Sequence, residues 1–224
     1  MATCVSEPAA LTGVMGGMFD PVHLGHLQAA AAARAACGLE RVLLVPCGNP
    51  VHRKMAFTSA AHRCAMLRLA MADLPWLQLD ARECDRPAPS RTYDTLLALK
   101  TERPDEILCF ILGLDAFLSL GSWYRWRDLF MLAQFVVITR PGYQLPATAD
   151  DENGILAELA RRRCDSPAAL GASSAGCILL LAAATPPLSS SQVRASLQAA
   201  EPVADLLPPG VAAYIREHRL YHPA

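Results

Sequence analysis

Six short apolar runs punctuate the 224 residues: 13–16, Val42–Val45, Trp76–Leu79, Ile107–Leu112, Phe135–Ile138 and Cys177–Ala183. They are continuous rather than alternating, the pattern of strands buried on both faces. Helical patterns lie between them near 24–37, 59–73, 92–102 and 151–163. Strand–helix alternation predicts an α/β, Rossmann-like fold: a mostly parallel, doubly wound sheet with helices on both faces. Right-handed crossovers then put any ligand crevice at the C-terminal ends of the strands. A hydrophobic share of 53% against 18% charged residues supplies a core and argues against disorder. The expectation is one domain over 1–224 with a helical end from about 189.

The same balance excludes some functions. A net charge of −1 and no long basic block argue against a nucleic-acid surface; Arg161-Arg162-Arg163 reads as the solvated end of a helix. The run Cys177–Ala184 is too short for a membrane span, which needs roughly 20 residues. The eight cysteines show no C-x-x-C spacing, so no zinc or redox site is expected. Cys109 and Cys177 read as small hydrophobes, and the scatter suggests a reducing, cytoplasmic setting. The first ten residues carry no signal-peptide pattern.

After the first run comes Gly16-Gly17-Met18-Phe19-Asp20-Pro21-Val22-His23-Leu24-Gly25-His26. Two glycines allow unusual turns and close approach to a ligand. Asp20 and Pro21 read as a helix N-cap and first-turn proline. His23 and His26, three apart, would share a helix face near its positive end, a setting for phosphate. Gly25 inside a helix costs roughly 1 kcal/mol relative to Ala, so a purely structural helix has little reason to carry it.

Further candidates follow the later runs. Residues 46–54 form a loop bringing His52, Arg53 and Lys54 to the strand-end face. Ser90 or Thr92 reads as the cap of the third helix. Gly113 permits close approach, and Asp115 could take ribose hydroxyls. Trp123 and Tyr124 are either core or a stacking platform for a base. Arg140 precedes a Pro-Gly turn. Ser189-Ser190-Ser191 opens a helix, with Arg194 one turn beyond Ser191 and able to face the same anion. Residues 206–216 read as a turn and a packing helix.

G-G-x-F-D-P-x-H-x-G-H at 16–26 and S-S-S-x-x-R at 189–194 resemble the phosphate motifs of the nucleotidyltransferase superfamily. With P-x-x-x-x-x-H-R at 46–53, P-S-x-T-x-D-T-L at 89–96, F-I-x-G-x-D at 110–115, W-Y at 123–124 and R-P-G-Y at 140–143, the chain resembles bacterial nicotinate-mononucleotide adenylyltransferases over nearly its whole length. The resemblance implies transfer of AMP from ATP to nicotinate mononucleotide, giving deamido-NAD and pyrophosphate.

It implies that His23, His26 and Arg194 serve catalysis. Gly16, Gly17, Met18, Phe19, Gly113, Asp115, Ser190 and Ser191 would complete the ATP site. His52, Arg53, Thr92, Asp115, Trp123, Tyr124 and Arg140 would hold the mononucleotide. Mg2+ would travel on the ATP phosphates, with no protein metal site. No nucleic-acid or membrane partner is implied, and a homo-oligomer stays open.

Two residues depart from the family pattern: Met18 where a hydroxyl is usual, and Arg91 where many members carry an aromatic. The alternatives are an adenylyltransferase preferring nicotinamide mononucleotide, a class I aminoacyl-tRNA synthetase relative, and a silent nucleotide sensor. The second lacks its K-M-S-K-S-like loop and a basic appendage; the third would require loss of a phosphate motif.

Overall fold

The structure, a computed structural model, describes residues 9–49, 56–86, 88–139, 154–184 and 188–221. Seven strands form one sheet: β1 (Leu11–Gly17), β2 (Arg41–Pro46), β3 (Leu77–Leu79), β4 (Ile107–Gly113), β5 (Gln134–Thr139), β6 (Arg163–Cys164) and β7 (Ile178–Ala182). Their spatial order is β3-β2-β1-β4-β5-β7-β6, and every pairing is parallel. The order reverses between β1 and β4, so a crevice opens there at the strands' C-terminal ends. The glycine–histidine motif, the serine–arginine motif and the aromatic pair flank it.

Continuous apolar strands face two cores because side chains alternate across a sheet. Val42 and Leu44 of β2, with Cys109 and Ile111 of β4, face one side. Leu43 and Val45, with Leu108, Phe110 and Leu112, face the other. The first side packs against α1 (Leu24–Cys37) through Ala30 and Ala33, against α2 (Ala60–Ala70) through Met66 and Leu67, and against α7 (Pro209–Glu217) through Val211 and Ile215. The second packs against α3 (Thr92–Glu102), α4 (Leu114–Leu118) and α5 (Ile155–Arg162) through Leu96, Phe117 and Leu159. α6 (Ser190–Gln198) runs from the serine motif, burying Val193.

Gly38 ends α1 in the left-handed conformation (φ 64°), its N–H donating to the Arg34 carbonyl. Gln134 is the buried polar exception in β5. Its Nε2 donates to the carbonyls of Leu170 (2.8 Å) and Ser173 (2.6 Å), and its Oε1 accepts from the Cys177 N–H (2.7 Å). It thereby fixes the excursion before β7 to the sheet.

Several local expectations are corrected. Arg163 belongs to β6 rather than to a helix end, while Arg161 and Arg162 pair with Glu158 in α5. Cys177 is not a free apolar side chain but is joined to Cys164 by a disulfide; Cys109 is buried as expected, and burial pushes its thiol up to about 12. Among the described residues no helix is long and apolar enough to cross a membrane.

Candidate functional site

The turn after β1 departs from the predicted cap. Helix α1 starts at Leu24, and His23, in extended conformation (φ −142°, ψ 168°), is its N-cap. Asp20 lies outside the helix and is buried, so its carboxylate needs partners. Oδ1 accepts from the hydroxyls of Tyr221 (2.6 Å) and Thr58 (2.8 Å); Oδ2 accepts from the Phe57 N–H (2.5 Å). Burial and the Asp20 carboxylate push the Tyr221 phenol upward, so it stays a proton donor at neutral pH. Asp20 thus ties the turn to the segment before α2 and to the residue at 221.

Gly16 and Gly17 do not supply positive φ. They end β1, and the left-handed residue is Phe19 (φ 49°), whose ring is buried. A Cβ on Gly16 would meet open space inside the crevice, and the same holds for Gly113. Met18 gives the site a backbone group: its carbonyl accepts from Nη1 of the buried Arg63 in α2 (2.9 Å).

The two imidazoles stack with ring centroids 3.7 Å apart and planes 26° apart. The His23 N–H donates to Nδ1 of His26 (3.2 Å). Nδ1 is therefore unprotonated, and a neutral His26 carries its proton on Nε2. Burial lowers the His23 imidazole from 6.5 to about 4. His26 is also lowered, by burial and by its histidine neighbour. Both rings are neutral at pH 7. A Cβ on Gly25 would fall 3.1 Å from Nδ1 of His23; the helical glycine leaves room for that ring.

α6 faces this turn. Ser189 is its N-cap and accepts from the Gln192 N–H (3.2 Å). The Ser190 hydroxyl donates to the Pro21 carbonyl (3.0 Å). Arg194 donates from Nη1 to the Asp20 carbonyl (2.6 Å) and from Nη2 to Ser191 Oγ (3.0 Å), its guanidinium 4.2 Å over the Phe57 ring. The Leu206 carbonyl takes the first N–H of α1, that of Leu24 (2.9 Å), so that donor is not free for an anion. Gly16, Gly17, Met18, Phe19, His23, His26, Gly113, Asp115, Trp123, Ser190, Ser191 and Arg194 all line one cavity of about 810 Å³.

A second cavity, of about 280 Å³, shares Gly16, Gly17, Met18, Phe110 and Trp123 with the first and is otherwise walled by Thr92, Tyr124, Arg91, Cys47, Ser90 and Glu83, among others. Trp123 meets the core residue Phe110 edge-on at 6.3 Å and packs, partly buried, against the second core, which Trp126 enters outright. Ser90 does not cap α3, whose N-cap is Arg91. Its Oγ instead accepts from the N–H groups of Gly48 (3.0 Å) and Asn49 (3.1 Å), and its N–H donates to the Asn49 carbonyl (2.8 Å). A Cβ on Gly48 would lie 1.8 Å from the Glu83 carbonyl oxygen, so only glycine fits.

Asp20, Thr58, Tyr221, Arg63 and Glu83 are the site-building residues that the motifs did not point to as such. His52, Arg53 and Arg140 lie outside the described residues. No cluster of three or more His, Cys, Asp or Glu side chains is placed to hold a metal ion among the described residues.

This arrangement has known relatives. The cytidylyltransferase-like family matches residues 14–196. The chain belongs to that family. It is 43% identical to a protein of Aeromonas hydrophila named "Probable nicotinate-nucleotide adenylyltransferase", over 95% of this chain and 97% of the relative. A protein of the same name from Acidithiobacillus ferrooxidans is 39% identical, over 93% and 94%. In fold, it matches the Plasmodium falciparum nicotinic acid mononucleotide adenylyltransferase solved with NaAD (TM-score 0.72, 20% identity, 95% and 97% covered). The sequence-based assignment to this group of enzymes and to a Rossmann-like fold stands.

Proposed function

We propose that this family member transfers AMP from ATP to nicotinate mononucleotide, releasing pyrophosphate and forming deamido-NAD in NAD biosynthesis. The observation that carries this reading is the pair of cavities sharing Trp123 and the Gly16–Met18 backbone: one is lined by two imidazoles, serines and an arginine, the other by aromatics. A triphosphate suits the first, and a pyridine ring on Trp123 suits the second. The names of its relatives point to the same acceptor.

The chemistry needs little from the protein beyond placement and charge. A phosphate oxygen of the mononucleotide attacks the α-phosphorus of ATP. The bond to the β-phosphate oxygen breaks, and pyrophosphate leaves with its electrons. The nucleophile is already an anion, so no side chain removes a proton from it. His26 donates from Nε2–H to the α-phosphate, held in that tautomer by the His23 backbone. His23 adds a second neutral donor. Arg194, Ser190 and Ser191 hold the β- and γ-phosphates, where the leaving charge accumulates. Asp115, on the wall of the larger cavity, takes ribose hydroxyls. Thr92, Tyr124, His52, Arg53 and Arg140 complete the mononucleotide side. Mg2+ travels with the ATP phosphates and neutralises part of their charge.

Pyrophosphate release from ATP, measured against nicotinate mononucleotide, nicotinamide mononucleotide and pantetheine phosphate, tests this directly. Turnover with the acid mononucleotide is expected to exceed the others. Better use of the amide would overturn the acceptor, and turnover only with pantetheine phosphate would overturn the reading. His23→Ala is expected to lower kcat by at least about 100-fold, the scale of losing one preorganised donor to transition-state charge.

A further inference from the structure

Arg91 stands where the motif departs from its relatives' pattern, and the structure shows where its side chain goes. Its backbone is the extended N-cap of α3 (φ −131°, ψ 124°), but the side chain caps nothing. It turns instead to the wall of the smaller cavity and lays its guanidinium over the Tyr124 ring, 4.1 Å from the centroid. Tyr124 is 44% exposed, so the pair forms the rim of the cavity rather than part of the core. Among the described residues no carboxylate is within ion-pair distance of Arg91. The neighbouring Arg125 differs: it stacks on Tyr93 but is paired with Asp128 at 2.5 Å. Arg91 is therefore a fixed, unspent cation facing the cavity.

The same cavity holds an opposite charge. Glu83 is 8% exposed and lines it, with its Oε1 accepting from Thr95 Oγ1 at 2.6 Å. A guest carrying a carboxylate meets repulsion from Glu83 unless a cation offsets it. A guest carrying a carboxamide in the same place needs no such offset.

We propose that Arg91, seated on Tyr124, is the specificity residue that selects a pyridine-3-carboxylate over the corresponding carboxamide as acceptor. The assignment rests on the functional reading above, which places the pyridine ring in this cavity. The acid and amide mononucleotides share the ribose, the 5′-phosphate and the pyridinium charge. They differ by one negative charge at the ring substituent, and that charge is what a guanidinium reads. The guanidinium is also held by the tyrosine face, so little rotamer entropy is lost when the carboxylate arrives.

The test compares kcat/KM for nicotinate and nicotinamide mononucleotides at saturating ATP, in the wild type, Arg91→Met and Arg91→Lys. Methionine keeps apolar contact with Tyr124 and removes the charge; lysine keeps the charge. The expected result is a fall of about tenfold in the acid-to-amide ratio for Arg91→Met, the scale of one partly exposed charge pair, with most of the ratio retained in Arg91→Lys. Raising salt should lower the wild-type ratio and leave that of Arg91→Met nearly flat. An unchanged ratio in Arg91→Met overturns the proposal. So does a parallel fall for both substrates, which assigns Arg91 only to holding Tyr124. A wild type that releases no pyrophosphate with either mononucleotide overturns the functional reading itself, a result distinct from both.

Discussion

His23 and His26 are held neutral by burial, and this has a sign that can be measured. Burial lowers His23 from 6.5 to about 4. Between those values the unfolded chain binds a proton that the folded chain refuses. Stability is therefore fully present above pH 6.5, falls as pH drops toward 4, and is flat at a lower level below that. His23 alone accounts for roughly 2 kcal/mol between pH 7 and pH 5. Urea unfolding at both pH values should show a loss smaller by about that amount in His23→Gln than in the wild type; equal losses would mean that His23 titrates normally in the folded protein. At this scale the placing of His23, Gly25 and His26 on the larger cavity was legible, because they follow directly on a strand end at the crevice. The tautomer was not, because it depends on a backbone N–H. Asp20 was misread as a cap for a similar reason: its partners are 37, 38 and 201 positions away, where a local capping rule has no view.

Among elements, the strands were the most legible. A strand buried on both faces leaves an unbroken apolar run, and β1, β2, β4 and β5 are of that kind. β6 has two residues, one exposed, and leaves no hydrophobic trace. α4 is five residues long and takes its apolar side chains from a stretch that also begins the aromatic cluster. The loop after β2 reads as a loop from its Pro, Gly and Asn content, but its attachment to α3 through Ser90 is a tertiary fact. That attachment predicts a separable effect. Gly48→Ala would drive a Cβ into the Glu83 carbonyl and displace the wall of the smaller cavity. KM for the mononucleotide should rise on the order of 10- to 100-fold, the cost of misplacement by about an ångström, while KM for ATP stays within about twofold. Equal rises in both would place the loop's influence on the larger cavity as well.

Across the whole molecule, the parallel sheet orders the site: its order reverses at β1 and β4, and the motifs from distant segments meet there. The buried Asp20 carboxylate joins the turn after β1 to the segment before α2 and to residue 221. Tyr221→Phe removes one of its three donors and should lower stability by about 1–3 kcal/mol. Because Asp20 also holds Arg194 through its carbonyl, the same variant should raise KM for ATP more than KM for the mononucleotide. Steady-state kinetics beside a thermal melt would check both; a lower melting temperature with unchanged KM values would make the contact purely structural. The amino-acid sequence carried the sheet and the positions of the glycine–histidine and serine–arginine motifs plainly, since each is a local pattern. The union of Asp20 with Tyr221 has no local signature.

That union also sets a timetable. The turn bearing Asp20 leaves the ribosome early, and the phenol that completes its hydrogen bonding follows 201 residues later. A nascent or prematurely terminated chain can hold both phosphate motifs and most of its sheet while Asp20 still lacks its third donor. Until residue 221 is added, the Asp20 carboxylate is held by Thr58 and the Phe57 N–H alone.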